Sequence, residues 1–432
     1  MQRKILAVAV AGALGLPSVS MAQSSSVQIF GSLYIEYSNA HQGQGGVGPS
    51  GTIANRSNVD LLQSSNSELG FKGEEKLGGG LAAWFQCAST ADFRESGTPP
   101  NGTADGLLCS RNSALGLKGT FGNLYIGRWN TPFKRTIAVT NVGGNDTGIF
   151  GTAFLLTGGS TSTTPGAPTT RATFKRREAN TVFYDSPNLW GLQVMGAFSA
   201  ANGTGTTGGT AAIDGATASK PRVLSLGAQY TRGPLYVSAA YERHNQFAAV
   251  GGENNDQGWH GGATYRWGPV LLGGQYTRQS FDNSGAGLVG AAPGAPSGGA
   301  TSARYSAWTL GADWAIVGPH GLRAAYTSVG DAKGNATILA APGTATTNTL
   351  IAGTYRPAPC LGPTAATAIC DGTGASLAQI RYVYTLSKRT ELDLGYVSLH
   401  NRTRAAYSLG GLSSPQIGTK QYAYAVGMHH SF

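Results

Sequence analysis

The chain contains little charge and no long apolar run beyond its start. Asp, Glu, Lys and Arg make up 12 % of the 432 residues, about half the usual share. After residue 22, no stretch approaches the ~18 consecutive apolar residues that a membrane-spanning helix needs. Lys/Glu-rich helical windows are also missing. With 65 glycines and 18 tyrosines, the composition instead predicts β-structure with long polar loops.

Motifs of enzymes and of cofactor sites are missing as well. The seven histidines lie outside any H-E-x-x-H or G-x-S-x-G setting, and no Ser/His/Asp set clusters along the chain. The Gly-rich tracts, 43–51 and 285–299, lack the Lys-Ser/Thr ending of a phosphate-binding loop. We therefore expect no enzyme activity, no cofactor and no metal. The net charge of +10 comes from scattered rather than clustered residues, which argues against nucleic-acid binding.

Cysteine is rare, with four residues. Their spacing lacks the C-x₂-C pattern of a zinc site, and three disulfide connectivities are possible. The local one, Cys87 with Cys109 and Cys360 with Cys370, fits best because each bridge would close one loop.

Residues 1–22 are typical of a secretory signal peptide. Arg3 and Lys4 precede an apolar run, and Ser20–Ala22 resembles a cleavage site before Gln23. We expect export, which permits disulfides, and a single mature domain over residues 23–432.

The last stretch, KQYAYAVGMHHSF, predicts a strand with one apolar side. Tyr422, Tyr424, Val426, Met428 and Phe432 alternate with small or polar residues. In a closed barrel the last strand pairs with the first, and a terminal aromatic can anchor at the lipid boundary. Phe432 is therefore a candidate for barrel closure and assembly. The alternative is an ordinary final strand of a soluble sandwich.

From Val27 onward, alternating runs of roughly 9–14 residues are joined by short turns and long polar loops in alternation. This pattern predicts sixteen antiparallel strands. One face of the strands is apolar and aromatic, as in Trp259, Trp308, Leu394 and Tyr396. The other face carries charge, with members including Lys72, Asp313, Arg323, Arg381, Glu391 and Asp393. A sandwich would bury the apolar face, so we expect an all-β transmembrane barrel with a polar interior.

Five motifs show a resemblance to a known family. They are ELGFKGEEKLGGGLAAWFQ, RNSALGLKGTFGNLYIGRWNTP, REANTVFYDSPNLWG, YTLSKRTELDLGY and VGMHHSF. Taken in this order over the mature chain, they resemble the trimeric general porins of Gram-negative outer membranes. The resemblance implies a sixteen-stranded barrel, a homotrimer in contact with outer-membrane lipid and lipopolysaccharide, and a third long loop folded into the lumen. Here that loop is 131–175.

In the family, wall arginines face acidic or carbonyl groups on this loop. Arg111 and Arg177 match two of those arginines. The third position holds Glu68, which implies a weaker positive cluster, and Lys72 on the same face is expected to compensate in part. Asp146 in GGNDTG is the candidate acid on the loop. Its alternative role is a turn residue that bonds its own backbone.

Arg177 and Arg381 fall on the polar face of their strands. This position supports a place for both in the lumen of the barrel. Arg111 and Arg128 share the parity of apolar neighbours. They would need a bulge or a strand end to reach the interior, and the alternative is a rim charge facing solvent or headgroups.

The resemblance implies a water-filled diffusion channel for ions and small hydrophilic solutes, with a preference for anions set by charges at its narrowest ring. Two alternatives remain. One is a channel that prefers a carboxylate or a sugar, and the other is an adhesive or receptor barrel with a plugged lumen.

Overall fold

The structure is a computed structural model that describes residues 26–44, 57–91, 108–157, 174–200, 222–245, 255–282, 302–331, 333–334, 372–403, 405, 407–410 and 418–432. The signal peptide at 1–22 and the pair Cys360 and Cys370 lie outside these residues.

The described chain is almost entirely β-structure, with two short helices. The strands are β1 (Ser26–Gln42), β2 (Ser57–Ser64), β3 (Glu68–Gly78), β4 (Leu81–Thr90), β5 (Ser113–Gly119), β6 (Gly122–Asn130), β7 (Arg177–Asp185), β8 (Leu192–Ser199), β9 (Arg222–Arg232), β10 (Leu235–Asn245), β11 (Asn255–Trp267), β12 (Val270–Asp282), β13 (Ser302–Val317), β14 (His320–Val329), β15 (Lys333–Gly334), β16 (Ala375–Ser387), β17 (Thr390–Asn401) and β18 (Lys420–Ser431). The helices α1 (Pro132–Thr140) and α2 (Ala153–Thr157) both lie between β6 and β7.

Sixteen wall strands result from these pieces, as the alternation predicted. β2 and β3 pair with the two halves of β1 and together form one wall strand. β15 continues the line of β14 along β13. The sheet is antiparallel throughout the described residues, and β1 pairs with β18, so the ring is closed. Closure removes the open edges that would otherwise leave backbone groups unpaired in lipid.

The two faces of the wall differ as the period-two pattern predicted. In β18 the side chains of Tyr422, Tyr424, Val426 and Met428 are exposed, while Gln421, Ala423 and Ala425 are buried. Aromatic side chains next to the short turns are among the most exposed, with Trp190 at 95 % and Trp267 at 73 %. An apolar outer band with aromatics at its border is the surface that a bilayer covers.

Neither α1 nor α2 has the length and hydropathy that a membrane-crossing helix needs, and they are the only helices in the described ranges.

The apolar core lies between the β6–β7 segment and the buried face of the wall. Phe133, Ile149, Phe150 and Leu155 are fully buried in one cluster with small and aliphatic wall residues. Glycine makes this contact possible at Gly311, where an added Cβ would overlap the carbonyl of Val142. The segment therefore packs directly on the backbone of the wall.

Phe432 lies at the seam where the ring closes. Its amide donates to the Gly31 carbonyl at 3.1 Å, and its carbonyl accepts from the Gly31 amide at 3.2 Å. Its ring covers Gly31 so closely that an added Cβ there would overlap it.

We expect Phe432→Ala to destabilise the folded barrel by roughly 1–2 kcal/mol, because the aromatic ring is half-buried at the seam. The measurement is the temperature at which the folded barrel in detergent converts to the unfolded form on a gel. Leu386→Ala, at an exposed position near the end of β16 and away from the seam, is the control. Equal transition temperatures for the two variants would contradict a role of Phe432 in closure.

Candidate functional site

Helix α1 begins where its sequence signals a start. Pro132 occupies the first turn, and the Thr131 hydroxyl caps the helix by accepting from the Lys134 amide at 3.4 Å. At the other end, the Thr140 hydroxyl donates to Oε1 of Gln275 at 2.9 Å. The Thr140–Gln275 bond joins the end of α1 to the buried face of β12.

The segment after α1 is fastened to strands on the far side of the ring. The carbonyl of Gly143 accepts from Nη2 of Arg381 at 3.0 Å and from Nε2 of Gln379 at 3.2 Å, both on β16. The amide of Ile149 donates to the Glu36 carboxylate on β1 at 2.7 Å. Glu36 is fully buried. The chain thus leaves the wall at β6 and is bonded to it again at β16 and β1.

Six charged groups gather where this segment meets β3, β5 and β7. We call them the loop charge cluster, and they are Glu68, Arg111, Lys134, Asp146, Lys175 and Arg177. Arg111 Nε lies 2.7 Å from Glu68 Oε2. The Asp146 carboxylate lies 3.0 Å from Lys175 Nζ and 3.4 Å from Lys134 Nζ.

Arg177 completes the cluster without a carboxylate of its own. Its Nε donates to Oδ1 of Asn112 at 2.9 Å, next to Arg111 in the chain. Among the described residues, no carboxylate oxygen lies within 4 Å of it. Four cations against two carboxylates leave the cluster with a formal excess of two positive charges.

The pKa values of the loop residues reflect these neighbours. Burial lowers the pKa of Lys134 below that of an ordinary lysine; Asp146 opposes this shift, whereas Lys175, Arg177 and Arg111 add to it. Burial alone would raise the pKa of Asp146, but Lys134 and Lys175 hold it well below its usual value. Asp146 is therefore ionised at neutral pH.

A disulfide between Cys87 and Cys109 holds the segment that leads to Arg111, as the sequence predicted. Their Cα atoms are 4.6 Å apart. Two residues further on, the Arg111 amide donates to the Ala88 carbonyl at 2.8 Å. Arg111 thus lies two residues before the start of β5, at a strand end.

The structure brings four of the sequence candidates together, namely Glu68, Arg111, Asp146 and Arg177. It places Arg128 at the edge of this cluster, where its charge acts on Arg177, and two candidates elsewhere. Arg128 is exposed, and its Nη1 donates to the Ser110 carbonyl at 3.2 Å. Lys72 stands over the Phe30 ring at 5.3 Å and does not join the cluster. Arg381 is buried on the Phe150 ring at 4.9 Å, with Nη1 3.6 Å from Asp393 Oδ2.

Sequence reasoning missed Lys134 and Glu36. Lys134 lies in PFKRT, where only the turn of α1 aims it at Asp146. Glu36 alternates with the exposed residues Ile35 and Tyr37 and so lies on the buried face, but its partner, the Ile149 amide, is 113 residues away.

The chain is similar to porins of Gram-negative bacteria. A family model described as Gram-negative porin matches residues 6–404. Outer membrane porin protein 32 of Delftia acidovorans is 29 % identical over 290 residues, covering 65 % of this chain and 70 % of the relative. Major outer membrane protein P.IB of Neisseria meningitidis is 35 % identical over 126 residues, which cover 29 % of this chain and 34 % of that protein. The match thus spans about a third of the meningococcal relative.

One solved structure shares the fold over nearly the whole chain. The anion-selective porin from Comamonas acidovorans superposes with a TM-score of 0.64 at 21 % identity, covering 95 % of this chain and 100 % of that one.

Proposed function

This chain belongs to the Gram-negative porin family and is an outer-membrane β-barrel, and on that premise we propose that it is a passive diffusion channel for ions and small hydrophilic solutes, with a preference for anions. Solutes pass down their gradients without chemical change. We further propose that it works as a homotrimer in contact with lipopolysaccharide.

The segment from 131 to 175 narrows the passage in this proposal. Its described part packs on the buried face of the wall and is bonded to β16 and β1 across the ring. A segment held in this way reduces the open cross-section and puts its charges beside passing solutes.

The loop charge cluster carries the anion preference. A pore selects ions through the charges lining its narrowest ring, and this cluster has an excess of two positive charges. Arg177 contributes most in this proposal because, in the described part of the chain, no carboxylate lies within 4 Å of it. The Comamonas porin with the same fold is described as anion-selective, which supports the direction.

The test is the zero-current potential of the purified protein in a planar bilayer across a KCl gradient. We expect a potential of anion-selective sign, and Arg177→Gln should move it towards the cation-selective side because half of the excess charge is lost. Arg128→Gln, which removes an exposed arginine at the edge of the cluster, should move it less. A cation-selective wild-type potential would overturn the anion preference, and no conductance at all would overturn the channel.

Rising pH should weaken the anion preference. Lys134 loses its proton at a lower pH than an ordinary lysine because burial depresses its pKa. Deprotonation lowers the cluster excess from two charges to one. Between neutral pH and the ordinary lysine range, the zero-current potential should therefore drift towards the cation side. Lys134→Met should show a smaller anion preference at neutral pH, and its zero-current potential should change little as pH rises. If its potential drifts as much as that of the wild type, another group causes the drift.

A further inference from the structure

A cavity of about 650 Å³ lies on the inner side of β3, β4 and β5 towards their short turns. Its inward-facing side chains include Lys72, Glu74, Lys76, Trp84, Gln86 and Lys118, together with Gln28 of β1. They are neighbours in register, since Lys72 lies opposite Gln86 and Glu74 opposite Trp84. The loop charge cluster lies at the other end of these strands, so the two regions are separate.

Trp84 provides a fixed flat surface on this wall. Its indole lies against Gly116, where an added Cβ would come within 2.5–2.8 Å of three indole atoms. Its Nε1 donates to Oδ1 of Asn123 at 2.7 Å, and the rings of Tyr125 and Trp129 pack at centroid distances of 5.4 and 5.8 Å. One indole face is thus covered by the Gly116 backbone. The part of the Trp84 side chain that is not covered lines the cavity.

The charge beside the indole is positive. Lys118 Nζ lies 2.5 Å from the Glu74 carboxylate, so these two charges cancel. Glu75 also borders the cavity, but it has the opposite strand parity and belongs to the outer side. Among the described residues, no carboxylate lies within 4 Å of Lys72 or Lys76. Lys72 and Lys76 lie on either side of Glu74, which is opposite Trp84 in register, so two ammonium groups without a carboxylate partner border the cavity, and that of Lys72 also lies 5.3 Å from the Phe30 ring.

We propose that this cavity is a binding subsite for aromatic carboxylates. The ring of the solute stacks on Trp84 in an offset or edge arrangement, and its carboxylate lies between the ammonium groups of Lys72 and Lys76 in charge-assisted hydrogen bonds. The proposal rests on the diffusion-channel function, which brings solutes to the site. Weak binding suits such a subsite, because a solute must be able to leave it for flow to continue.

Benzoate is the probe, added to single channels conducting KCl. We expect brief benzoate-induced interruptions of the current, fewer with cyclohexanecarboxylate, which lacks the aromatic ring, and fewer with benzyl alcohol, which lacks the charge. Trp84→Leu should weaken the benzoate effect by roughly 2- to 10-fold, from the loss of stacking. Gly116→Val, which displaces the indole, should act in the same direction.

Lys72→Gln with Lys76→Gln should weaken the effect of benzoate and leave that of benzyl alcohol unchanged. Lys388→Gln with Arg389→Gln is the matched control. It removes two cations from a short turn that does not border the cavity, and it should behave as wild type. Normal KCl conductance with no benzoate interruptions, or with interruptions that all variants share equally, would overturn the subsite.

Saturation transfer from the detergent-solubilised barrel to benzoate, observed by NMR, measures binding without conductance. We expect transfer in the wild type and its loss in Trp84→Leu. Transfer without KCl conductance would overturn the channel and support the site, whereas conductance without transfer would overturn the site alone.

Discussion

Glu36→Ala is expected to increase single-channel conductance and current noise. The Glu36 carboxylate accepts from the Ile149 amide at 2.7 Å and from the Ser65 hydroxyl at 3.1 Å, and it is fully buried. Without this carboxylate the buried Ile149 amide has no acceptor, and losing the hydrogen bond of a buried donor costs about 1–3 kcal/mol. Its loss should therefore raise the population of the detached segment roughly 10- to 100-fold.

The second attachment sharpens this test. Arg381→Met removes the bond to the Gly143 carbonyl, so the double variant E36A/R381M should admit larger solutes in liposome-swelling assays than either single variant. Asp313→Ala is the control, because Asp313 faces inward but pairs with Arg323 rather than with the segment. Conductance distributions unchanged in both Glu36 variants would show that the segment is held by its apolar core alone.

Reversing two charges of the loop charge cluster is expected to invert ion selectivity. K134E/R177E changes the excess of two positive charges into an excess of two negative ones. Because charges at a narrow, poorly solvated ring act at short range, the zero-current potential across a KCl gradient should change to the cation-selective sign.

A charge exchange separates net charge from a displaced loop. K134E/D146K keeps the excess at two positive charges while it reverses the pair whose atoms lie 3.4 Å apart. If net charge decides, this variant stays anion-selective. If it becomes cation-selective as K134E/R177E is expected to, the position of the loop and not the charge excess sets the preference.

The two faces of the wall could be predicted because side chains alternate every two residues along a strand, a pattern that depends only on near neighbours in the sequence. Alternation in β18 and in the segments around Trp308 and Leu394 shows which side meets lipid, and the exposed fractions agree. The short-turn and long-loop rhythm predicted sixteen wall strands, although β2 and β3 are separate pieces of one of them. The motif resemblance added Arg111, Arg177 and the acid Asp146, which do lie in one cluster.

The particular role of each charge could not be predicted. Arg381 has the parity of a passage residue, but it is buried and holds the Gly143 carbonyl. Lys72 is expected from its face to compensate in part for Glu68, and in the structure it lies over the Phe30 ring. Parity gives the side of the wall on which a residue lies; depth and partner depend on contacts from elsewhere in the chain.

The sequence by itself determined the alternating faces, the number of wall strands and the family, because these depend on neighbours a few residues apart. Only the tertiary structure decided that Glu36 anchors the segment, that Lys134 joins Asp146, and that no carboxylate of the described residues pairs with Arg177. The reason is physical: these contacts join residues that meet only after the ring has closed and the segment has packed on its inner face.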